Sequence, residues 1–183
     1  AVVGRLVIDP EDQHTGASDG QLVACNGLTS RGSLPTSRRY TTLAEAEVAF
    51  GFSVPDVHTP GWSFLGANEM DYGAIYAGAP NPPPPPQKSQ FLGANITYIC
   101  RDTTSVSLAI MPAGQIASFF DDYDLNQNRM TASIRGREVA TVRTPDGLLI
   151  VLWQGDGRDY AAFSVERGSF NMADLLTVVE GLH

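Results

Sequence analysis

Three histidines are the first candidates for acid–base chemistry, because an imidazole changes its charge near neutral pH. His14 lies in a polar segment, His58 lies between two prolines, and His183 is the last residue. A catalytic histidine needs an orienting carboxylate and a nucleophile within hydrogen-bond reach, and the residues around these three supply neither. The G-x-S-x-G and H-E-x-x-H motifs of hydrolases do not occur. The sequence therefore predicts no catalytic residue, and a hydrolase with a dispersed site around His58 is the alternative hypothesis.

Asp121 and Asp122 begin an acidic, amide-rich segment that is the most inviting cluster of oxygen ligands. Counted from Asp122, oxygen-bearing side chains fall at positions one, three, five and seven, as in a calcium-binding loop. Position six, however, is Gln127 instead of glycine, and position twelve is Ser133 instead of a bidentate glutamate. We therefore interpret the segment as a solvated acidic loop, and we expect no metal and no cofactor. The Asp121/Asp122 pair is the second place where the alternative hydrolase site could lie.

The composition is that of an acidic, folded domain. The 183 residues carry a net charge of −8, with 20 acidic and 12 basic side chains. Such a field repels phosphate backbones, so nucleic acid and anionic membrane surfaces are poor partners. Hydrophobic residues make up 43% of the chain, which is far above the content of a disordered segment. No run approaches the ~18 apolar residues that a membrane-spanning helix needs.

The chain contains two cysteines, Cys25 and Cys100, which are far apart in sequence. There is no C-x-x-C, and no cluster of cysteine and histidine has metal-ligand spacing. A disulfide between them would suit an oxidising compartment. Two buried free thiols, acting as small apolar side chains of the core, are the alternative. The sequence leaves both alternatives open.

Two capped helices and a series of strands are predicted from the residue pattern. Thr42 with Glu45 forms a capping box that begins the first helix, and Gly51 stands where a left-handed residue ends it. Asn171 with Asp174 begins the second helix, close to the end of the chain. Between the helices, alternating or continuous apolar runs predict strands at 62–65, 70–76, 96–101, 106–111, 131–135, 138–143, 148–153 and 160–165. The first two of these are predicted to pair with each other, and Trp153 is predicted to lie in the core beside Leu149 and Val151.

This order of elements predicts an α+β fold, a twisted antiparallel sheet covered by a helix of the N-terminal half and a C-terminal helix. We expect an N-terminal extension of strands and loop at 1–39 and a single α+β domain at 40–183. A proline-rich loop at 79–90 interrupts this domain and includes five consecutive prolines, residues 82–86. Such a run forms a stiff polyproline II rod without ladder donors. We interpret it as an exposed loop; a ligand for an SH3- or WW-type domain is the alternative.

The segment from Tyr40 to Pro55 resembles the opening of a family of uncharacterised bacterial extracytoplasmic domains. Members of that family lie C-terminal in predicted lipoproteins and in membrane proteins related to anti-sigma factors. They show a leucine- and alanine-rich capped helix, a Gly-Phe step with a proline, and a Pro-Gly-aromatic step, which is Pro60-Gly61-Trp62 here. The end of the chain is similar as well, with an apolar strand to Trp153, a Gly-Asp-Gly turn, Tyr160 and a leucine-containing helix. The resemblance covers most of the chain.

The resemblance implies the extracytoplasmic domain of a bacterial lipoprotein or membrane-anchored regulator, with no catalytic residues to carry over. On that basis we expect a non-enzymatic binding or sensing domain at the cell surface, tethered through an N-terminal anchor that precedes residue 1. Its partner would be a protein, a peptide or a cell-envelope component. An extracytoplasmic location would also favour the disulfide between Cys25 and Cys100.

Overall fold

The computed structural model describes residues 39–70, 93–100, 104–114 and 128–183. The predictions for Cys25, His14, Asp121/Asp122, the proline-rich loop and nearly all of the N-terminal extension lie outside these residues. The elements in chain order are α1 (Leu43–Phe50), β1 (Trp62–Met70), β2 (Gly93–Cys100), β3 (Thr104–Pro112), β4 (Arg129–Ile134), β5 (Arg137–Arg143), β6 (Leu148–Gly155), β7 (Arg158–Val165) and α2 (Met172–Glu180).

Both helices begin with the reciprocal hydrogen bonds that the sequence predicts. In α1, the Glu45 N–H donates to Thr42 Oγ1 over 3.2 Å, and the Thr42 N–H donates to Glu45 Oε2 over 3.1 Å. In α2, the Asn171 N–H donates to Asp174 Oδ2 over 2.9 Å, and the Asn171 side chain caps the first turn. Gly51 ends α1 in the left-handed conformation, with φ of 71°. The helix starts are therefore determined locally.

Seven antiparallel strands form one sheet in the order β1-β2-β3-β7-β6-β5-β4. Strands β1–β3 form one meander and strands β4–β7 form another. The two meanders join where β3 pairs with β7, from Ser107 opposite Phe163 to Pro112 opposite Arg158. The described residues are thus mostly sheet with two helices, which agrees with the predicted α+β class. None of the helices in the described part is long and apolar enough to cross a membrane.

The predicted pairing of 62–65 with 70–76 is wrong. Residues Trp62 to Met70 form a single strand, β1, which pairs with β2 along its length. The register shifts between Phe64 and Gly66, where Leu65 is one extra residue opposite β2, so this segment is a β-bulge inside a strand and not a turn between two strands. Residues 71–76 lie outside the described part of the chain.

The main core lies on one face of the sheet. Leu149 and Val151 of β6 are 0% exposed and belong to one cluster with side chains of both helices, among them Phe50 of α1 and Leu175 of α2. Burying one such side chain contributes about 1.5–3 kcal/mol. The other face carries a smaller buried cluster, Ala109, Met111, Val142, Ile150, Leu152 and Ala161. Strand β6 is therefore apolar on both faces, which explains its continuous run of hydrophobic residues.

Candidate functional site

A pocket of about 200 Å³ lies beside the C-terminal end of α2 and the β4–β5 hairpin. We call it the hairpin pocket. Three charged residues at its opening, Arg135, Arg137 and Glu180, are exposed to solvent. The remaining lining is apolar and buried or half-buried, formed by Ile134, Val139, Trp153, Val179 and Leu182. The pocket thus combines apolar side chains with two arginines in a chain whose net charge is −8.

Trp153 packs against the main core, as predicted, but it is only half-buried. Leu149 and Val151 are 0% exposed, whereas the indole of Trp153 on the same side of β6 is only half-buried and lines the hairpin pocket. One face of the indole stacks on Tyr160, with ring centroids 5.2 Å apart and ring planes 7° from parallel. The difference arises because α2 ends at Glu180, beside the pocket, and leaves this end of the strand uncovered.

The β4–β5 hairpin presents both arginines. Its two-residue turn consists of Arg135, with φ of 49°, and Gly136, with φ of 75°. Positive φ at both positions defines the type I′ turn, which favours Asn-Gly and Asp-Gly. The β6–β7 turn follows this preference, with Asp156 before Gly157, but an arginine at the first position is unfavourable. Turn geometry alone therefore does not explain Arg135.

Arg135 contacts the imidazole of His183. Its Nη1 lies 2.9 Å from His183 Nδ1, and its Nη2 lies 3.3 Å from Nε2. A guanidinium only donates, and a neutral imidazole has one accepting nitrogen, so one of the two contacts is a hydrogen bond and the tautomer decides which. The His183 ring in turn stacks on His58, with centroids 4.8 Å apart. Arg135 is therefore oriented by a neighbouring side chain.

Backbone pairing holds residues 181–183 against residues 56–59, and we call this pairing the C-terminal contact. The Asp56 N–H donates to the His183 carbonyl over 2.7 Å, and the His183 N–H donates to the Asp56 carbonyl over 3.1 Å. The two chains approach so closely that a Cβ at Gly181 would lie 2.0 Å from Thr59 Oγ1. The close approach, and not the backbone conformation, requires glycine at this position, because a φ of −76° is available to any residue. The C-terminal contact fixes His183 beside the hairpin.

The Arg137 side chain has no hydrogen bond or ion pair within the described part of the chain. By contrast, Arg143, at the other end of the same strand, lies 2.6 Å from Glu166. The Arg137 guanidinium lies against the backbone of β6, where a Cβ at Gly155 would be 2.8 Å from its Nη1. Burial is the main cause that raises the pKa of Tyr160, and the positive charge of Arg137 acts in the opposite direction. Arg137 is therefore a positive charge close to the aromatic pair of Trp153 and Tyr160.

His58, the candidate of the alternative hypothesis, is exposed on the segment before β1. Within the described residues its ring stacks on His183 and makes no side-chain hydrogen bond to a hydroxyl or a thiol. The described lining of the hairpin pocket also contains no serine, threonine or cysteine. These described groups can bind an anion and an apolar surface, but they do not form a nucleophile–base pair. No group of three or more metal-ligating side chains occurs in the described ranges.

Cys100 is fully buried on β2 and disulfide-bonded. The chain has one other cysteine, Cys25, which lies outside the described residues. The proposed pairing of the two therefore stays a prediction.

The residues of the hairpin pocket are absent from the sequence-based predictions of functional sites. The sequence signal that could have found them is the Arg-Gly-Arg of residues 135–137, two arginines around a hairpin glycine in an acidic chain. Trp153 and Glu180 carry no comparable signal, because they reach the pocket only through the pairing of β5 with β6 and the packing of α2.

No protein-family model, no curated protein and no solved structure matches this chain. The similarity of its residues to the family of extracytoplasmic domains therefore remains a proposal. What the hairpin pocket can bind follows from its own side chains.

Proposed function

We propose that this chain is a non-enzymatic, extracytoplasmic binding or sensing domain that recognises its ligand through the hairpin pocket. The observation that carries the proposal is Arg137, an exposed cation without a described partner beside the half-buried indole of Trp153. Arginine, tryptophan and tyrosine are the residue types most enriched at binding hot spots, and Tyr160 stacks on this indole. Because the whole chain carries a net charge of −8, a local positive group is a distinct site of attraction for an anionic ligand.

The proposal includes the location that the resemblance implies, in a lipoprotein or membrane-anchored regulator with its anchor ahead of residue 1. Its partner is a protein, a peptide or a cell-envelope component. The bonded state of Cys100 supports a location outside the cytoplasm, because disulfides persist in oxidising compartments. We also take α1 and α2 as the cover of the main core, since buried side chains of both helices belong to its cluster.

The alternative, a hydrolase around His58 or Asp121/Asp122, has less support. His58 stacks on another histidine and makes no described contact with a nucleophile. Asp121 and Asp122 lie outside the described residues, so they contribute no observation in its favour.

Tryptophan fluorescence tests the binding function directly. The chain has two tryptophans, and Trp62 is only 6% exposed, so a ligand in the hairpin pocket should change the emission of Trp153 selectively. We expect a saturable change with acidic peptides or anionic envelope fragments, and a weaker one with their neutral analogues. Arg137→Gln should reduce this binding at least fivefold.

The matched control is Arg143→Gln, which removes an arginine from the same strand, β5, outside the pocket. Equal binding by wild type, Arg137→Gln and Arg143→Gln would contradict the proposed site. Turnover of a chromogenic ester that is lost in His58→Ala would contradict the non-enzymatic function and favour the hydrolase.

A further inference from the structure

We infer that the hairpin pocket binds the C-terminal residue of a peptide or protein chain, with an apolar side chain inside the pocket and the free carboxylate on Arg137. This inference rests on the proposed binding function and names its ligand. Three features carry it: the size of the pocket, the state of the two arginines, and the net charge and open side of the lining.

The size of the pocket restricts the ligand to one apolar group. Its volume of about 200 Å³ is below the ~300–1,000 Å³ of sites for drug-sized molecules. A dry cavity of ~150 Å³ already binds benzene, so this pocket has room for one side chain of the size of leucine or phenylalanine.

The two arginines have different roles toward a carboxylate. Arg135 is held by His183, with 2.9 Å between Nη1 and Nδ1. It therefore attracts a carboxylate mainly through its positive charge and less through hydrogen bonds. Arg137 has all its guanidinium donors free of described partners, and its planar fork matches the two oxygens of a carboxylate. Because Nη1 of Arg137 lies close to Gly155, the backbone of β6 limits where the fork can point. The arrangement therefore favours one carboxylate at a defined position.

The charges of the lining and its open side favour one carboxylate at the end of a chain. The two arginines and Glu180 sum to a charge of +1, which matches a single carboxylate better than a doubly charged group. The exposed residues at the opening leave a path for the preceding main chain to continue into solvent. A short chain can then add contacts outside the pocket that a small free acid of the same chemistry lacks.

The test compares three probes by Trp153 fluorescence: N-acetyl-Gly-Gly-Phe with a free C-terminus, the same peptide with a C-terminal amide, and 3-phenylpropanoate. We expect the free acid to bind at least tenfold more tightly than the amide and more tightly than 3-phenylpropanoate. Arg137→Gln should abolish the preference for the free acid, while Arg143→Gln should keep it. Gly155→Ala should also weaken the preference for the free acid, because the new methyl group displaces the Arg137 guanidinium without changing any charge.

Equal affinity for the acid and the amide would overturn the inference, and so would equal affinity for the peptide and 3-phenylpropanoate. Failure of all three probes would overturn it too, while an Arg137-dependent response to another anion would leave the proposed binding function intact. Thermal melting of each variant separates loss of binding from loss of fold. Gly155→Ala keeps the test valid if Arg137→Gln does not fold.

Discussion

Replacing Gly181 with alanine should open the C-terminal contact. The backbone at Gly181 is right-handed, with φ of −76° and ψ of −7°, so alanine brings no conformational penalty and the effect comes from its Cβ alone. That Cβ would lie 2.0 Å from Thr59 Oγ1 and 2.9 Å from Thr59 N. The hydroxyl can rotate away, but the second atom belongs to the backbone, so the two segments must move apart.

The expected loss of stability can be bounded in two ways. Overpacking by one methyl group in a close contact typically costs about 1–3 kcal/mol. Complete opening would break the two hydrogen bonds between Asp56 and His183 and the bond from the His58 N–H to the Gly181 carbonyl. At about 0.5–1.5 kcal/mol net for each bond, opening costs about 1.5–4.5 kcal/mol, which agrees with the first range. For a domain of this size, 1–3 kcal/mol lowers the melting temperature by roughly 2–12 °C.

Thermal melting followed by circular dichroism provides the assay, and Thr59→Ala provides the control. In the double variant the 2.0 Å clash with Oγ1 is gone while the 2.9 Å contact with the backbone nitrogen persists, so part of the lost stability should return. A melting temperature of Gly181→Ala within 1 °C of wild type would refute the close approach. If the loss of stability in the double variant equals the sum of the losses in the two single variants, the contact with Oγ1 is not the cause of the destabilisation.

Three further predictions concern other parts of the molecule. Trp153→Ala should cost about 1–2 kcal/mol in urea denaturation, below the ~3–5 kcal/mol of a fully buried tryptophan; a larger loss would mean a buried ring. Glu45 and Asp174 should make the free energy of unfolding depend on pH in opposite directions. Hydrogen bonds from Thr41 and Thr42 lower the Glu45 pKa. The contribution of Glu45 to stability is therefore present above the ordinary pKa of a glutamate and is lost as pH falls through the lowered value. Burial raises the Asp174 pKa, so its contribution falls as pH rises between the ordinary and the raised value. Both contributions are measured by comparing the free energy of unfolding of Glu45→Gln and Asp174→Asn with that of wild type at a series of acid pH values. If the two differences changed with pH in the same direction, the opposite pH dependence would be contradicted. Mass spectrometry of the unreduced, denatured protein should find neither Cys25 nor Cys100 alkylated; two alkylated thiols would exclude their disulfide.

The part of the fold that sequence predicts is the part that neighbouring residues determine. The capping boxes at Thr42 and Asn171 satisfy backbone donors within one turn, so residue types alone identify them. The continuity of β1 is not determined locally, because Gly66 between apolar residues fits a turn as well as a strand, and only pairing with β2 decides. The hairpin pocket depends on longer distances still, since Arg137 and Trp153 meet only after β5 pairs with β6.

The junction of the two meanders also determines how the chain reaches its fold. Within each meander every pairing links consecutive strands, so each can form from nearby segments, whereas Ser107 and Phe163 must close a separation of 56 residues. Closing a longer loop costs more chain entropy, which makes the β3–β7 pairing the expected late step of folding. Contacts that form after the folding barrier act on the unfolding rate. A stabilising substitution at this junction should therefore prolong the lifetime of the native domain, while one within a meander should mainly accelerate folding.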